Sequence, residues 1–311
     1  MQESQASEQR LNEARDMGED WATNFSRPQA MVTGLEDYAY YTTLIATTLD
    51  SDFPRSYMEA KKQLDLWQAP MKEEMEIMKK RGVFKLVPRP KDQHVVGLKW
   101  GYVNKYNVDG EITRWKARLV AQGFTQIPGL EYDQTYALVA RLESLRMVVA
   151  IAAHLSLHLW QIYFVSVYLN SDNKFLVYME QPPGFVKPGE EDMVNIALKT
   201  IYGMMNGAYD WSQSLKASYN GLGYYELKAN PCICHQINDK GFTLTGTYTD
   251  DVFGALSNAE GAEIAKNELA NCYDIKDMGE PSYILRICID CDKSTGAISL
   301  SQQIYLERVL K

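Results

Sequence analysis

Asp250 and Asp251 stand side by side between two short β-prone runs, and few backbone geometries suit that pattern. Thr243, Leu244, Thr245 and Tyr248 lead in; Val252, Phe253, Ala255 and Leu256 lead out. Apolar and β-branched residues on both sides of a short polar break predict a β-hairpin with its acids at the turn. Two carboxylates fixed in direction by a tight turn suit a hard divalent cation, which prefers oxygen ligands. An Asp-Asp pair is equally at home as a solvated turn, so the rest of the chain must decide.

The 311 residues suffice for two domains or one large one. Apolar residues make up 46% of them, enough to build a core and too many for a disordered chain. The formal net charge of -8 argues against a nucleic-acid coat over the whole surface, yet leaves room for a local basic region. Cys232, Cys234, Cys272, Cys288 and Cys291 are odd in number and follow no signal peptide. Reduced thiols in an intracellular compartment, cytoplasmic or nuclear, are therefore expected. No apolar run approaches the ~20 residues needed to span a bilayer, so no membrane partner is expected.

Along the chain, residues 1–36 read as a polar, weakly ordered leader and 37–66 as a linker with a short helix capped by Ser56. From Trp67, a helix carries Trp67, Met71, Met75 and Met78 on one apolar stripe. Lys79, Lys80 and Arg81 with Gly82 close it. Strands follow over Val83–Val87, Leu98–Tyr106 and Ile112–Val120, the last two joined by an Asp-Gly turn at Asp109-Gly110. That hairpin carries Lys99, Lys105, Arg114, Lys116 and Arg118 against only Asp109 and Glu111. It reads either as a solvated face or as a contact surface for phosphates.

Leu142–Leu155 reads as a helix with Leu145, Val148, Val149 and Ala152 on its apolar face. Leu157–Tyr168 reads as a buried central strand, and Phe175–Met179 as another. A helix is expected over Ala208–Tyr219, strands over Cys232–Ile237 and through the acidic hairpin, and a helix over Ala259–Asn271. A last hairpin spans Ser282–Leu300, with a final helix from Gln303. His154 and His158 are spaced as zinc ligands can be, but without the Glu of a metalloprotease helix. Cys232-x-Cys234-His235 and Cys288-x-x-Cys291 lie in strand-like runs and read as small core hydrophobes rather than a zinc site.

Several motifs together resemble one family. They are Trp67 with Glu73-Glu74-Met75, the run Lys116-Ala117-Arg118-Leu119-Val120-Ala121-Gln122-Gly123-Phe124-Thr125-Gln126, and Tyr178-Met179-Glu180-Gln181-Pro182-Pro183-Gly184-Phe185. Tyr202-Gly203, Tyr248-Thr249-Asp250-Asp251 and Leu300-Ser301-Gln302 complete the series. In this order, across residues 40–311, they are similar to the reverse transcriptase of copia-type LTR retrotransposons. The resemblance implies an α+β fold: the fingers (67–145) and palm (146–311) of a right-hand polymerase, the palm an antiparallel sheet backed by helices. The thumb and RNase H domain usual downstream are expected to be missing. The implied reaction is DNA synthesis from dNTPs on an RNA template with a DNA primer, using two Mg²⁺ ions. Other parts of a Pol polyprotein are implied as partners.

By resemblance, Asp250 and Asp251 are the hairpin carboxylates, catalytic and metal-binding. Lys116 and Arg118 neutralise the triphosphate, Tyr168 excludes a ribose 2′-hydroxyl, and Asn206 stands where a Gln approaches the nucleotide. The family's other metal-binding Asp falls on Tyr163. A phenol is a poor Mg²⁺ ligand, and Asp172, the next acid along, is nine residues away on the chain. Tyr209 for Arg, Leu138 for Pro and Arg286 for Gly are further departures. The expectation is a reverse transcriptase lineage impaired at Tyr163. A non-catalytic nucleic-acid-binding module and a degenerate transposon remnant are the alternatives.

Overall fold

A computed structural model of the chain describes residues 53–106, 111–238, 241–303, 305, 306 and 310. The polar leader, the first part of the linker, the turn at 107–110 and residues 239 and 240 lie outside the described residues. In chain order the elements are α1 (Tyr57–Ala60), α2 (Leu64–Lys80), β1 (Phe84–Pro88), β2 (Val95–Val96), β3 (Leu98–Tyr106) and β4 (Ile112–Ala121). Then come α3 (Leu142–Leu155), β5 (His158–Phe164), β6 (Tyr178–Met179), β7 (Met193–Ala197) and α4 (Gly207–Gly221). The rest are β8 (Tyr225–Leu227), β9 (Asn230–Asn238), β10 (Gly241–Tyr248), β11 (Asp251–Leu256), α5 (Ala259–Cys272), β12 (Ile275–Gly279), β13 (Tyr283–Ile284), β14 (Ile287–Cys291) and β15 (Ile298–Ser301). The fold is mixed α+β, as expected.

The chain divides into two compact units, each built from separated segments. One takes Val139–Phe164 and Tyr219–Lys311; the other takes the described residues 53–138 and 165–218.

In the first unit a six-stranded antiparallel sheet runs in the order β12-β5-β11-β10-β9-β8. β5 is a central strand because it alternates a sheet-burying set, Trp160, Ile162 and Phe164, with Leu159, Gln161 and Tyr163. α3 is helical for the reason its pattern gives: Leu145, Val148, Val149 and Ala152 recur at helical spacing and are its buried residues. They join Leu159, Ile233, Leu244, Phe253 and Ala255 in one core cluster. α5, capped by Asn258 accepting from the Glu260 amide, packs against β5, β11 and β12. A three-stranded sheet β13-β14-β15 completes the unit. Its first turn places Leu285 and Arg286 at φ 49 and 67, the left-handed region. Beyond it, the Leu306 and Leu310 amides donate to the carbonyls of Gln302 and Leu306, the spacing of a helix.

In the second unit, α2 lies on the two-stranded ribbon β3-β4. Trp67 meets Tyr102 edge-on at 4.9 Å, and the Tyr102 hydroxyl donates to Met71 Sδ. The buried residues of α2 are Trp67, Met71, Glu74 and Met78, with Met75 half-buried against the same core, so a carboxylate joins the expected apolar stripe. Gly82, at φ 62, ends the helix and lets the Val83 amide reach the Met78 carbonyl. A sheet β1-β7-β6-β2, α1 and the greater part of α4 also belong to this unit.

One expected element is shorter than its sequence pattern. The apolar run to Tyr168 leaves the strand at Phe164, because Ser166 turns left-handed at φ 53 and Val167–Asn170 form a 3-10 turn.

Candidate active site

β10 and β11 pair from Thr243–Leu256 to Tyr248–Asp251, so only Thr249 and Asp250 make the turn. Thr249 takes φ 54, the positive value that a tight turn between twisted strands demands. Asp250 therefore sits at the tip and Asp251 opens β11. The Phe164 amide donates to the Asp250 carbonyl at 2.8 Å, tying the turn to the end of β5.

Antiparallel register then sets which side chains meet. Asp251 is directly opposite Tyr163, and Tyr163 is directly opposite Lys276 on β12. With Tyr248 opposite Asp251, one row runs Tyr248, Asp251, Tyr163, Lys276 across four strands. Residues so paired share a face, with Cβ atoms about 4.5–5.5 Å apart. The fold thus brings Asp250, Asp251 and Tyr163 together at one end of the sheet.

Gln161, two residues before Tyr163 and on the same face, is buried and donates from Nε2 to Asp251 Oδ1 at 3.3 Å. Burial pushes the Asp251 carboxyl up to about 6; the Asp250 charge adds to the rise and the Gln161 hydrogen bond opposes it. The donor set does not fit a two-ion centre: it has two carboxylates, one of them raised, and a phenol in the row beside them. Among the described residues no three His, Cys, Asp or Glu side chains are grouped as a metal site requires. Asp172 belongs to the other unit, where its Oδ1 pairs with Lys199 Nζ at 2.7 Å.

The second unit carries the cationic residues. β3–β4 register sets Lys105 opposite Arg114, Lys116 opposite Val103, Arg118 opposite Gly101 and Lys99 opposite Val120. Alternation puts all five cations on one face, while Tyr102, Trp100, Ala117 and Leu119 take the core face. Burial lowers the Lys116 ammonium to about 8; neighbouring Arg118 contributes and Glu74 opposes. Buried Glu74 accepts the Leu119 amide through Oε1, and its carboxyl is raised, first by burial.

Arg118 lies over the Tyr202 ring, Cζ 4.3 Å from its centroid, and Tyr202 meets Tyr168 edge-on at 4.9 Å. Tyr168 is buried, and its carbonyl accepts from Thr200 Oγ1 at 2.6 Å. Asn206 is 1% exposed: its Nδ2 donates to Asp210 Oδ2 at 2.6 Å and to Asn173 Oδ1 at 3.2 Å. Its Nδ2 is thereby engaged within the protein, while its buried Oδ1 has no hydrogen-bond partner among the described residues. Sequence reasoning gave no role to Gln161, Glu74 or Tyr202. Period-2 spacing from Tyr163 was a signal for Gln161; Glu74 and Tyr202 lie within the motifs that carry the resemblance, but nothing local gives either a role.

Residues 81–311 match the family described as reverse transcriptase (RNA-dependent DNA polymerase). The chain belongs to the copia-type reverse transcriptase family. This reverse transcriptase domain is 31% identical over 242 residues to the retrovirus-related Pol polyprotein from transposon TNT 1-94 of Nicotiana tabacum, a match covering 78% of the chain and 18% of that protein. It is 28% identical over 271 residues to the Pol polyprotein from transposon RE2 of Arabidopsis thaliana, covering 87% of the chain and 18% of the relative. The Pol polyprotein from transposon RE1 of the same plant is 27% identical over 267 residues, 86% of the chain and 18% of the relative. The domain spans about a fifth of the length of these curated relatives.

Proposed function

We propose that this domain is the fingers and palm of a copia-type RNA-directed DNA polymerase whose nucleotidyl-transfer centre is impaired. The unit holding β5, β10 and β11 is read as the palm, and the unit holding β3 and β4 as the fingers. The substrates are a primed RNA template and dNTPs, and the remaining parts of a Pol polyprotein are the partners. The observation that carries the impairment is the register of β5 on β11, which sets Tyr163 opposite Asp251 where the family has an Asp. Two-metal transfer needs carboxylates on both strands to hold ions about 3.5–4 Å apart. A neutral phenol supplies neither the charge nor the second oxygen, and its ring takes up the room.

Primer extension on an RNA template tests this. Tyr163→Asp is expected to raise the rate at least about 100-fold, the effect of restoring one stabilising group. Extension by the unaltered protein that Asp250→Ala abolishes would overturn the impairment. The five cations on one face of β3–β4 favour a second reading, a module that holds primer–template without chemistry. That reading requires duplex affinity that falls steeply with salt.

A further inference from the structure

Tyr202 has no part in the reading above, yet it touches two residues that do. Its carbonyl accepts the Ala121 amide at 2.8 Å, and the next carbonyl, of Gly203, accepts the Gly123 amide at 3.2 Å. These bonds clip the 202–203 segment to the end of β4. Gly203 makes the approach possible: at φ 85, a Cβ there would fall 2.3 Å from the Ala121 carbonyl oxygen and 2.6 Å from Val120 Cγ1. On its other side the segment is held to the 3-10 turn of Tyr168. Thr200 donates from Oγ1 to the Tyr168 carbonyl at 2.6 Å and from its amide to the Ser171 carbonyl at 3.0 Å.

Between these clips the Tyr202 ring makes two different contacts. Its face takes the Arg118 guanidinium at 4.3 Å, within cation–π range, and it meets the ring of Tyr168 at 4.9 Å and 81°. A contact over the ring face does not itself use the guanidinium's fork of N–H donors, the groups that bind phosphate oxygens. A ring in this place fixes the direction of that fork and the tilt of Tyr168 at once.

We propose that Tyr202 is a positioning residue that couples Arg118, the triphosphate contact, to Tyr168, the sugar gate, so that deoxyribose selection and phosphate grip depend on one side chain. This rests on the reading that the unit accepts a deoxynucleoside triphosphate. Phosphate affinity and sugar selectivity should then fail together when the ring is removed, although Tyr202 itself need touch neither group.

Equilibrium binding of dCTP, CTP and inorganic tripolyphosphate to the 311-residue chain tests the coupling. The unaltered protein is expected to prefer dCTP over CTP, and Tyr202→Phe, which keeps the ring, to preserve both affinity and preference. Tyr202→Leu is expected to weaken dCTP and tripolyphosphate by about fivefold, the size of one cation–π contact, and to narrow the dCTP preference. Tyr202→Met, which fills the same space with a flexible chain, replaces it if Leu disturbs folding as read by circular dichroism. A Tyr202→Leu or Tyr202→Met protein that keeps the full dCTP preference refutes the coupling and leaves the nucleotide site standing. An unaltered protein that binds none of the three probes removes both.

Discussion

Arg286 occupies a left-handed position, φ 67, in the two-residue turn between β13 and β14. The same turn puts Leu285 at φ 49, so two side chains crowd a geometry that glycine adopts freely. The Arg286 guanidinium recovers part of that cost over the Tyr305 ring, at 5.3 Å. Arg286→Gly is expected to stabilise the protein by about 0.5–1 kcal/mol, read as a higher urea midpoint with unchanged slope. Asp251 gives a pH-dependent counterpart. Its folded carboxyl sits at about 6 against 3.8 when unperturbed, so between those values the folded state holds a proton that the unfolded state has released. Stability from this group therefore falls as pH rises from about 4 to 6, and the loss persists above. Asp251→Asn removes the charge, and its advantage over the unaltered protein should grow by about 1 kcal/mol between pH 4 and pH 7.5, a figure discounted for partial exposure. Urea titrations at the two pH values check it; an advantage that does not change with pH would remove the burial argument. Arg286 was legible in the sequence as a departure from Gly, because the family pattern supplies the contrast. The raised Asp251 carboxyl was not, because the burial that raises it comes from packing beside a strand about 90 residues away in the sequence.

The elements best read from the sequence are those whose side chains alone dictate their period. α3 was expected over Leu142–Leu155 with four named buried residues, and both the bounds and the buried set are those observed. β3 likewise keeps its expected Leu98–Tyr106. The misreadings arose where backbone geometry overrides pattern, as at Ser166, or where pairing partners are few: of the strand expected over Phe175–Met179, only Tyr178–Met179 pair. α2 shows a third cause. Its stripe takes in Glu74 because a buried strand amide, that of Leu119, needs an acceptor that no apolar side chain supplies. Glu74→Ala should thus cost about 2 kcal/mol by leaving that amide unpaired, whereas Glu74→Gln, which keeps the acceptor and sheds a buried charge, should stay within about 0.5 kcal/mol. Equal losses in chemical denaturation for the two variants would show that packing, not the hydrogen bond, is what matters there.

For the molecule as a whole, motif order in the sequence was enough for the family and the mixed α+β class, but not for the way the chain is apportioned. Each unit is discontinuous: the chain leaves the first after Phe164 and returns at Tyr219. Local patterns carry no trace of such a return, since every helix and strand involved looks the same whether its neighbours are near or far in sequence. The return does have a consequence for synthesis. Among the described residues, β5 pairs with β11 and β12 and with no strand made before it. At about 5–20 residues per second, a ribosome exposes Trp160, Ile162 and Phe164 for roughly 5–20 seconds before the first partner emerges. During that interval the apolar strand that later anchors the acidic turn is a nascent, sticky segment, and cotranslational chaperones are its natural custodians.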